Sequence, residues 1–161
     1  ENFVYNGFVF FGLINVDGEP FVIEYNCRMG DPETEVVMPR LASDLVELFV
    51  CMHQHTLGQY MIQIDPRAAA TVVLVSGGYP ENFEKGKVIS GLNSAFSDDT
   101  LVFHAGIKSS SDQLLTNGGR VAAVSSFGKN ITEAIQASVQ AISQIQYEKK
   151  YFRTDIGYEF K

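Results

Sequence analysis

The sequence predicts a mixed α+β protein built in two parts, and three observations carry that expectation. Residues 8–15 (FVFFGLIN) and 20–27 (PFVIEYNC) are apolar runs flanking Asp17-Gly18, a pairing that favours a tight antiparallel hairpin. Helical spacing with cap signatures occurs at Asp44–Met52 and again at Asn130–Ile142. Between these helices, from Ala70 onward, β-branched segments alternate with glycine-rich breaks. The pattern changes at Asp65-Pro66-Arg67, which sets a domain boundary: residues 1–64 form one part and 65–161 a small carboxy-terminal domain.

In chain order, strand-like character begins at Phe3-Val4-Tyr5 and Phe8-Val9-Phe10-Phe11. After the hairpin, Asp31 is placed to cap a helix and Pro32 fits its first turn. A helix is therefore expected from about residue 32 that bends or stops at Pro39. Asp44 with Glu47 three residues on resembles a capping box, and Leu45, Leu48, Phe49 and Met52 supply an apolar stripe that ends near Gly58. Ala70–Ser76 is a buried strand by its β-branched content. Ser76-Gly77-Gly78-Tyr79-Pro80 ends it with a turn that lets the chain pass close to a neighbour, and lacks the Lys-Ser/Thr of a P-loop. Further strands are expected at Lys87–Ile89, Thr100–Ile107, Leu114–Thr116 and Arg120–Ser126, with turns at Ser109–Asp112 and Asn117-Gly118-Gly119. Asn130 caps a helix over 131–146 whose stripe is Ile131, Ile135, Val139 and Ile142. The tail Tyr151–Lys161 is aromatic and charged, without a clear period.

Composition narrows the function classes. The 161 residues are 45% hydrophobic and 19% charged, which suits a folded protein. The net charge of −7 provides no global basic field for nucleic acid or an anionic membrane, so any anion needs a local site. No apolar run approaches the roughly 20 residues that span a bilayer. Cys27 and Cys51 form no CxxC. The first residue is Glu1, no cationic leader follows, and a strand pattern starts almost at once. These features predict a cytoplasmic fragment of a longer polypeptide.

The chemistry concentrates in residues 21–28. Strand side chains alternate between faces, which puts Phe21, Ile23, Tyr25 and Cys27 on a core face and Val22, Glu24, Asn26 and Arg28 on the other. A carboxylate, an amide and a guanidinium then stand in a row, about 7 Å apart per step. A half-exposed hairpin with a polar outer face would account for the row without any function. Asn is a poor strand former, however, and needs another reason to be there. The three groups also suit one ligand. Glu and Asn oxygens are hard donors for Mg²⁺, and an Arg one step along stabilises a phosphoryl group in flight.

Asn117-Gly118-Gly119-Arg120 has the makings of a second anion site. Glycines let backbone N–H groups approach an oxyanion, Arg adds a fork of donors, and Lys108 lies on the neighbouring stretch. A plain hairpin turn with a surface Arg is the alternative. His53 and His55 have no third ligand nearby in sequence and read as a surface pair. Cys51 is expected on a helix packing surface and Cys27 on the core side of its strand, so neither is a nucleophile candidate. Asn130-Ile131-Thr132 matches a glycosylation sequon, but a helix cap is the better account.

The segment FVIEYNCRMGDPETE resembles the second metal-binding strand of an ATP-grasp ligase, and RMGDPETE is similar to the signature of the glycinamide ribonucleotide synthetase (phosphoribosylamine–glycine ligase) family. VVLVSGGYPENFEKGKVISGL, VFHAGIK, TNGGRVAAVSSFGK and FRTDIGYEF are similar to that family's carboxy-terminal third, so the resemblance covers almost the whole chain. It implies the end of an ATP-grasp domain, an antiparallel sheet with helices, followed by a small mixed β/α carboxy-terminal domain. It implies a purine-pathway reaction in which ATP phosphorylates glycine and the amine of 5-phosphoribosylamine displaces phosphate from the glycyl phosphate.

Residue by residue, the resemblance implies that Glu24 and Asn26 hold Mg²⁺ or Mn²⁺ and that Arg28 meets the transferred phosphoryl group. It places Asp31, Glu33 and Thr34 at the wall of the substrate pocket, where Asp31 or Glu33 would suit the glycine amine or ribose hydroxyls. It assigns Arg120, with Gly119 and Lys108, to the phosphate of phosphoribosylamine. Gly12 stands where many ATP-grasp enzymes carry a further acidic ligand. The remaining nucleotide contacts would come from an amino-terminal part of the same polypeptide, so the isolated chain is expected to be inactive. Two alternatives stand beside this reading. One is another ATP-grasp carboxylate–amine ligase or a carboxylase subunit, against which RMGDPETE and TNGGR speak. The other is a non-catalytic binding module, against which the intact Glu24, Asn26 and Arg28 speak.

Overall fold

Asp17 and Gly18 both take positive φ, at 53° and 92°, the backbone that a two-residue hairpin turn requires. They join β1 (Phe10–Val16) to β2 (Glu19–Asn26) as a two-stranded antiparallel ribbon. In the computed structural model, residues 3–160 are described, and the chain divides into two units, Glu1–Asp65 and Pro66–Lys161. No helix among the described residues is long and apolar enough to cross a membrane.

The first unit continues from the ribbon into α1 (Thr34–Arg40) and α2 (Leu45–His53). Asp31 does not cap α1. The residue at that position is Glu33, which makes no side-chain cap bond, and the helix starts two residues later than expected. It also runs through Pro39 and ends at Arg40; Pro39 lies so near the end that the hydrogen bond it forgoes disturbs little. The cap of α2 follows the sequence: Asp44 accepts from the Glu47 N–H at 3.0 Å. The Glu47 side chain does not reach back to Asp44 but accepts from Tyr60 Oη at 2.8 Å. Leu41 and Ile64 form a single bridge near the close of the unit. Phe3–Val9 is irregular rather than strand, and β1 begins only at Phe10.

The second unit holds the main core. Its first sheet has the order β3-β8-β5, all antiparallel, with β3 (Ala68–Val75) and β5 (Thr100–His104) flanking β8 (Arg120–Gly128). Its second sheet has the order β4-β7-β6, from Val88–Ile89, Gln113–Thr116 and Ile107–Ser110. The single strand expected over Thr100–Ile107 is therefore two strands in different sheets. The chain changes sheet at Ala105-Gly106, whose amides donate to Val121 O and Arg120 O. Gly106 is required there, because a Cβ would stand 2.5 Å from Arg120 O and 2.6 Å from Gly118 Cα.

Helix α3 (Ile131–Gln144) packs on β8 and β3. Asn130 caps it, accepting from the Glu133 N–H at 2.9 Å, and Glu133 Oε2 accepts from the Lys129 N–H at 3.1 Å. The buried face is Ala134, Ser138, Ala141 and Ile142, so of the expected stripe only Ile142 is buried. Small residues let the helix sit close to the sheet, and Ser138 Oγ donates to Ala70 O at 3.1 Å. Ile131 and Ile135 instead meet the tail at Gly157. The tail is ordered along part of its length: Tyr151 bridges Val75, and Phe152 and Ile156 pack against the core of Val72, Leu74, Val121, Val124, Ile142 and Ile145. Lys161 lies outside the described residues.

Candidate functional site

The Glu24 row is built on an irregular strand. Gly12 pairs with Glu24 and Leu13 with Val22, which leaves Ile23 without a partner of its own. This bulge breaks the simple alternation expected over residues 21–28, since an extra residue shifts the facing of everything before it. Ile23 thus lines the same hollow as Glu24 instead of the opposite face. The supposed core face is not a core within this unit. Phe21, Ile23, Tyr25 and Cys27 are all exposed, Ile23 at 66% and Tyr25 at 69%. A two-stranded ribbon has two open faces, and the Phe11–Tyr25 ring contact at 5.8 Å covers little of either.

The hollow measures about 250 Å³. Glu24, Arg28, Asp31 and Glu33 all contribute to its wall, along with Phe10, Gly12, Leu13 and Ile23. Asn26 is not part of the wall, but its Nδ2 donates to Glu24 Oε1 at 3.2 Å, so carboxylate and amide stand side by side. Two glycines make room. A Cβ on Gly12 would stand 3.1 Å from Glu24 Cγ, so a larger residue there would press on that side chain. A Cβ on Gly30 would stand 2.6 Å from Glu33 Oε2 and 2.8 Å from the Phe10 ring, so a larger residue there would displace those side chains from the turn. Arg28 Nη1 donates to Met29 O at 2.8 Å, which holds the guanidinium near its own strand end. Thr34 is not part of the hollow; its hydroxyl donates to Gly30 O at 2.5 Å and fastens the start of α1.

The Glu24 carboxylate and the adjacent Asn26 amide are hard oxygen donors, and that pair fits a divalent cation whose other ligands are phosphate and water oxygens. Among the described residues no group of three or more His, Cys, Asp or Glu side chains could hold a metal by itself. His53 ends α2 and His55 follows with φ of 57°, both exposed. Cys27 is exposed and Cys51 half-buried, both as free thiols, which corrects the expectation that Cys27 faces a core.

The other candidates lie in the second unit. Arg120 opens β8 and Lys108 sits in β6, opposite Leu115. Their backbones are neighbours: the Gly106 N–H donates to Arg120 O at 2.9 Å, two residues before Lys108. The turn Asn117–Gly119 lies between β7 and β8, and Ser76 reaches it, donating from N–H to Gly119 O at 2.8 Å and from Oγ to Gly118 O at 2.9 Å. Ser76, Tyr79 and Gly106, which shape this turn, are contacts that sequence reasoning did not assign. The glycine pair at 118–119 was the available signal, because glycine marks close approach: Gly118 lies against the Gly106 backbone and Gly119 against the Tyr79 ring.

Residues 69–159 match the family model described as phosphoribosylglycinamide synthetase, C domain. The chain is 45% identical over 159 residues to the phosphoribosylamine–glycine ligase of Allochromatium vinosum, covering 98% of this chain and 37% of that protein. It is 48% identical, with the same coverage, to the phosphoribosylamine–glycine ligase of Vibrio cholerae. Among solved structures, the phosphoribosylamine–glycine ligase of Thermotoga maritima superposes with a TM-score of 0.75 at 34% identity, over 91% of this chain and 36% of that one. The biotin carboxylase subunit of pyruvate carboxylase shares the fold alone, with a TM-score of 0.61 at 14% identity over 88% of this chain and 32% of that one. The chain thus spans little more than a third of the length of the curated relatives it matches. With over half its residues inside the matched region, this chain belongs to the phosphoribosylglycinamide synthetase C-domain family.

Proposed function

We propose that this chain is the carboxy-terminal portion of a phosphoribosylamine–glycine ligase, an ATP-dependent enzyme that forms a carbon–nitrogen bond in purine biosynthesis. ATP would transfer its γ-phosphoryl group to the glycine carboxylate, releasing ADP. The amine of 5-phosphoribosylamine would then attack the acyl carbon and displace phosphate, giving glycinamide ribonucleotide. The observation that carries this reading is the shared hollow of Glu24, Arg28, Asp31 and Glu33 within the strand and turn that hold RMGDPETE.

In this reading Glu24 and Asn26 hold Mg²⁺ or Mn²⁺, which when bound neutralises charge on the ATP phosphates. Arg28 stabilises charge on the oxygens of the phosphoryl group during transfer. Asp31 and Glu33 offer carboxylates to the ammonium group of glycine or to ribose hydroxyls. Arg120, Lys108 and the Gly119 backbone bind the 5′-phosphate of phosphoribosylamine. Residues 1–64 would be the end of the ATP-grasp domain and 65–161 the carboxy-terminal domain, with the adenine contacts supplied by the rest of the relatives' length. The free thiols Cys27 and Cys51 accord with a reducing cytoplasmic setting.

The test is ADP release. A polypeptide of the relatives' full length that contains this chain is expected to release ADP only when glycine and phosphoribosylamine are both present, and the 161-residue chain alone to release none. ADP release that needs bicarbonate in place of glycine would overturn the reading in favour of a carboxylase.

A further inference from the structure

We propose that Tyr79 is a positioning residue for the Asn117–Arg120 turn, and through it for the anionic end of phosphoribosylamine. This inference rests on the reading of Arg120 given above and adds the element that holds it in place.

The segment Ser76–Lys87 straddles the turn and is fastened on both sides of it. At one end Ser76, itself buried, donates from N–H and Oγ to the carbonyls of Gly119 and Gly118, at 2.8 and 2.9 Å. At the other end the Gly86 N–H donates to Thr116 O at 2.7 Å and the Lys87 N–H to Thr116 Oγ1 at 3.0 Å, while Lys87 O accepts from the Thr116 N–H at 2.9 Å. Glu84, paired with Lys149 at 2.7 Å, and Lys87, paired with Glu148 at 2.9 Å, tie this end of the segment to the stretch after α3.

Between these anchors the Tyr79 ring lies flush on Gly119. A Cβ on Gly119 would overlap Cδ2 and Cε2 of that ring, and the three nearest heavy atoms all belong to it. Gly119 is not in the left-handed region, so its lack of a side chain answers to the ring and not to backbone strain. Phe83 holds the ring from another side, edge-on at 5.9 Å. Across the turn, Gly106 closes the clamp: its N–H donates to Arg120 O at 2.9 Å and its carbonyl accepts from the Asn117 N–H at 2.7 Å.

The clamp has an electrostatic consequence. The carbonyl oxygens of Gly118, Gly119 and Arg120 are each engaged by a donor inside the protein. These are the backbone groups that would repel an anion, so tying them inward leaves the turn free to receive one. Preorganisation of this kind lowers the cost of ordering a site at the moment of binding. Loss of the Tyr79 ring would loosen the turn without touching any group that reacts.

In the full-length ligase, Tyr79→Ala is expected to raise KM for phosphoribosylamine about tenfold, with kcat and KM for ATP and glycine within about twofold, the split that marks lost ground-state positioning. Tyr79→Phe, which keeps the ring, should match the native enzyme. Gly119→Ala should raise the same KM, yet add little in the Tyr79→Ala background, because the Cβ then has nothing to displace. Should Tyr79→Ala fail to fold, Tyr79→Leu against Tyr79→Phe decides by the same criterion. Binding of ribose 5-phosphate, measured by calorimetry, should weaken in parallel. An unchanged KM in Tyr79→Ala, or in Tyr79→Leu, beside a raised KM in Arg120→Ala would overturn this inference alone. An unchanged KM in Arg120→Ala would overturn the reading beneath it.

Discussion

Gly12 and Gly30 decide how much space the Glu24 and Glu33 carboxylates have, and neither glycine announces that role in the sequence. What was legible at this scale was chemical type: a carboxylate, an amide and a guanidinium two residues apart, in a strand where asparagine has little intrinsic place. Contact was not legible, since it depends on the bulge at Ile23 and on the Phe10 ring across the turn. A second residue-scale effect concerns Glu84. Its carboxyl is lowered from the ordinary 4.5 to about 2, first by the hydrogen bond from Lys149 and then by that from Lys87. A depressed folded pKa contributes stability that is complete above 4.5 and lost as pH falls toward about 2. Glu84→Gln is therefore expected to melt below the native chain at pH 7 and to converge with it near pH 2. The gap should be small because these side chains are exposed. Melting curves across that range check it, and a gap that persists at pH 2 would contradict it.

At the scale of elements, caps and turns were legible and buried faces were not. Asp44, Asn130 and Asp17-Gly18 each do in the structure what their residue types imply, because capping and hairpin turns are local events. Asp31 is not the cap because it lies in the turn before Glu33, and the Thr34 N–H at the start of the helix already donates to Gly30 O. Of the stripe expected on α3 only Ile142 is buried, because closeness to the sheet favours Ala134, Ser138 and Ala141 over larger side chains, while the tail takes up Ile131 and Ile135. Only the sheet and the tail together reveal that division. Asn130→Ala should destabilise the second unit by about 1 kcal/mol, the usual cost of a lost N-cap. Chemical denaturation would show it as a lower midpoint with an unchanged slope. An unaltered midpoint would mean that Glu133 and Lys129 hold the helix start without Asn130.

For the whole molecule, the two units differ in how completely they bury themselves. The core cluster from Val72 to Tyr147 belongs to Pro66–Lys161. In the first unit the ribbon leaves Phe11, Leu13, Phe21, Ile23 and Tyr25 exposed, and an apolar cavity of about 460 Å³ lies among Phe8, Met29, Leu48, Phe49 and Met52. A ribbon of two strands is marginal in water without further packing. In the 161-residue chain, amides of β8 from Val121 to Ser125 should therefore exchange with solvent orders of magnitude more slowly than those of β1 and β2. Equal protection in hydrogen exchange would contradict that contrast. The mixed α+β class was legible at this scale from the order of strand and helix signals, whereas the split of residues 100–110 between two sheets was not. The break rests on the fit of Gly106 against Gly118 and Arg120, far along the chain.

The proposed function requires the Glu24 carboxylate to act where phosphoryl transfer takes place. The direct measurement is steady-state turnover of the full-length ligase carrying Glu24→Gln, beside its thermal unfolding. Turnover should fall about a hundredfold or more, while stability changes by less than about 0.5 kcal/mol, as expected for an exposed side chain. A variant that turns over as fast as the native enzyme would leave Glu24 a surface residue of the ribbon.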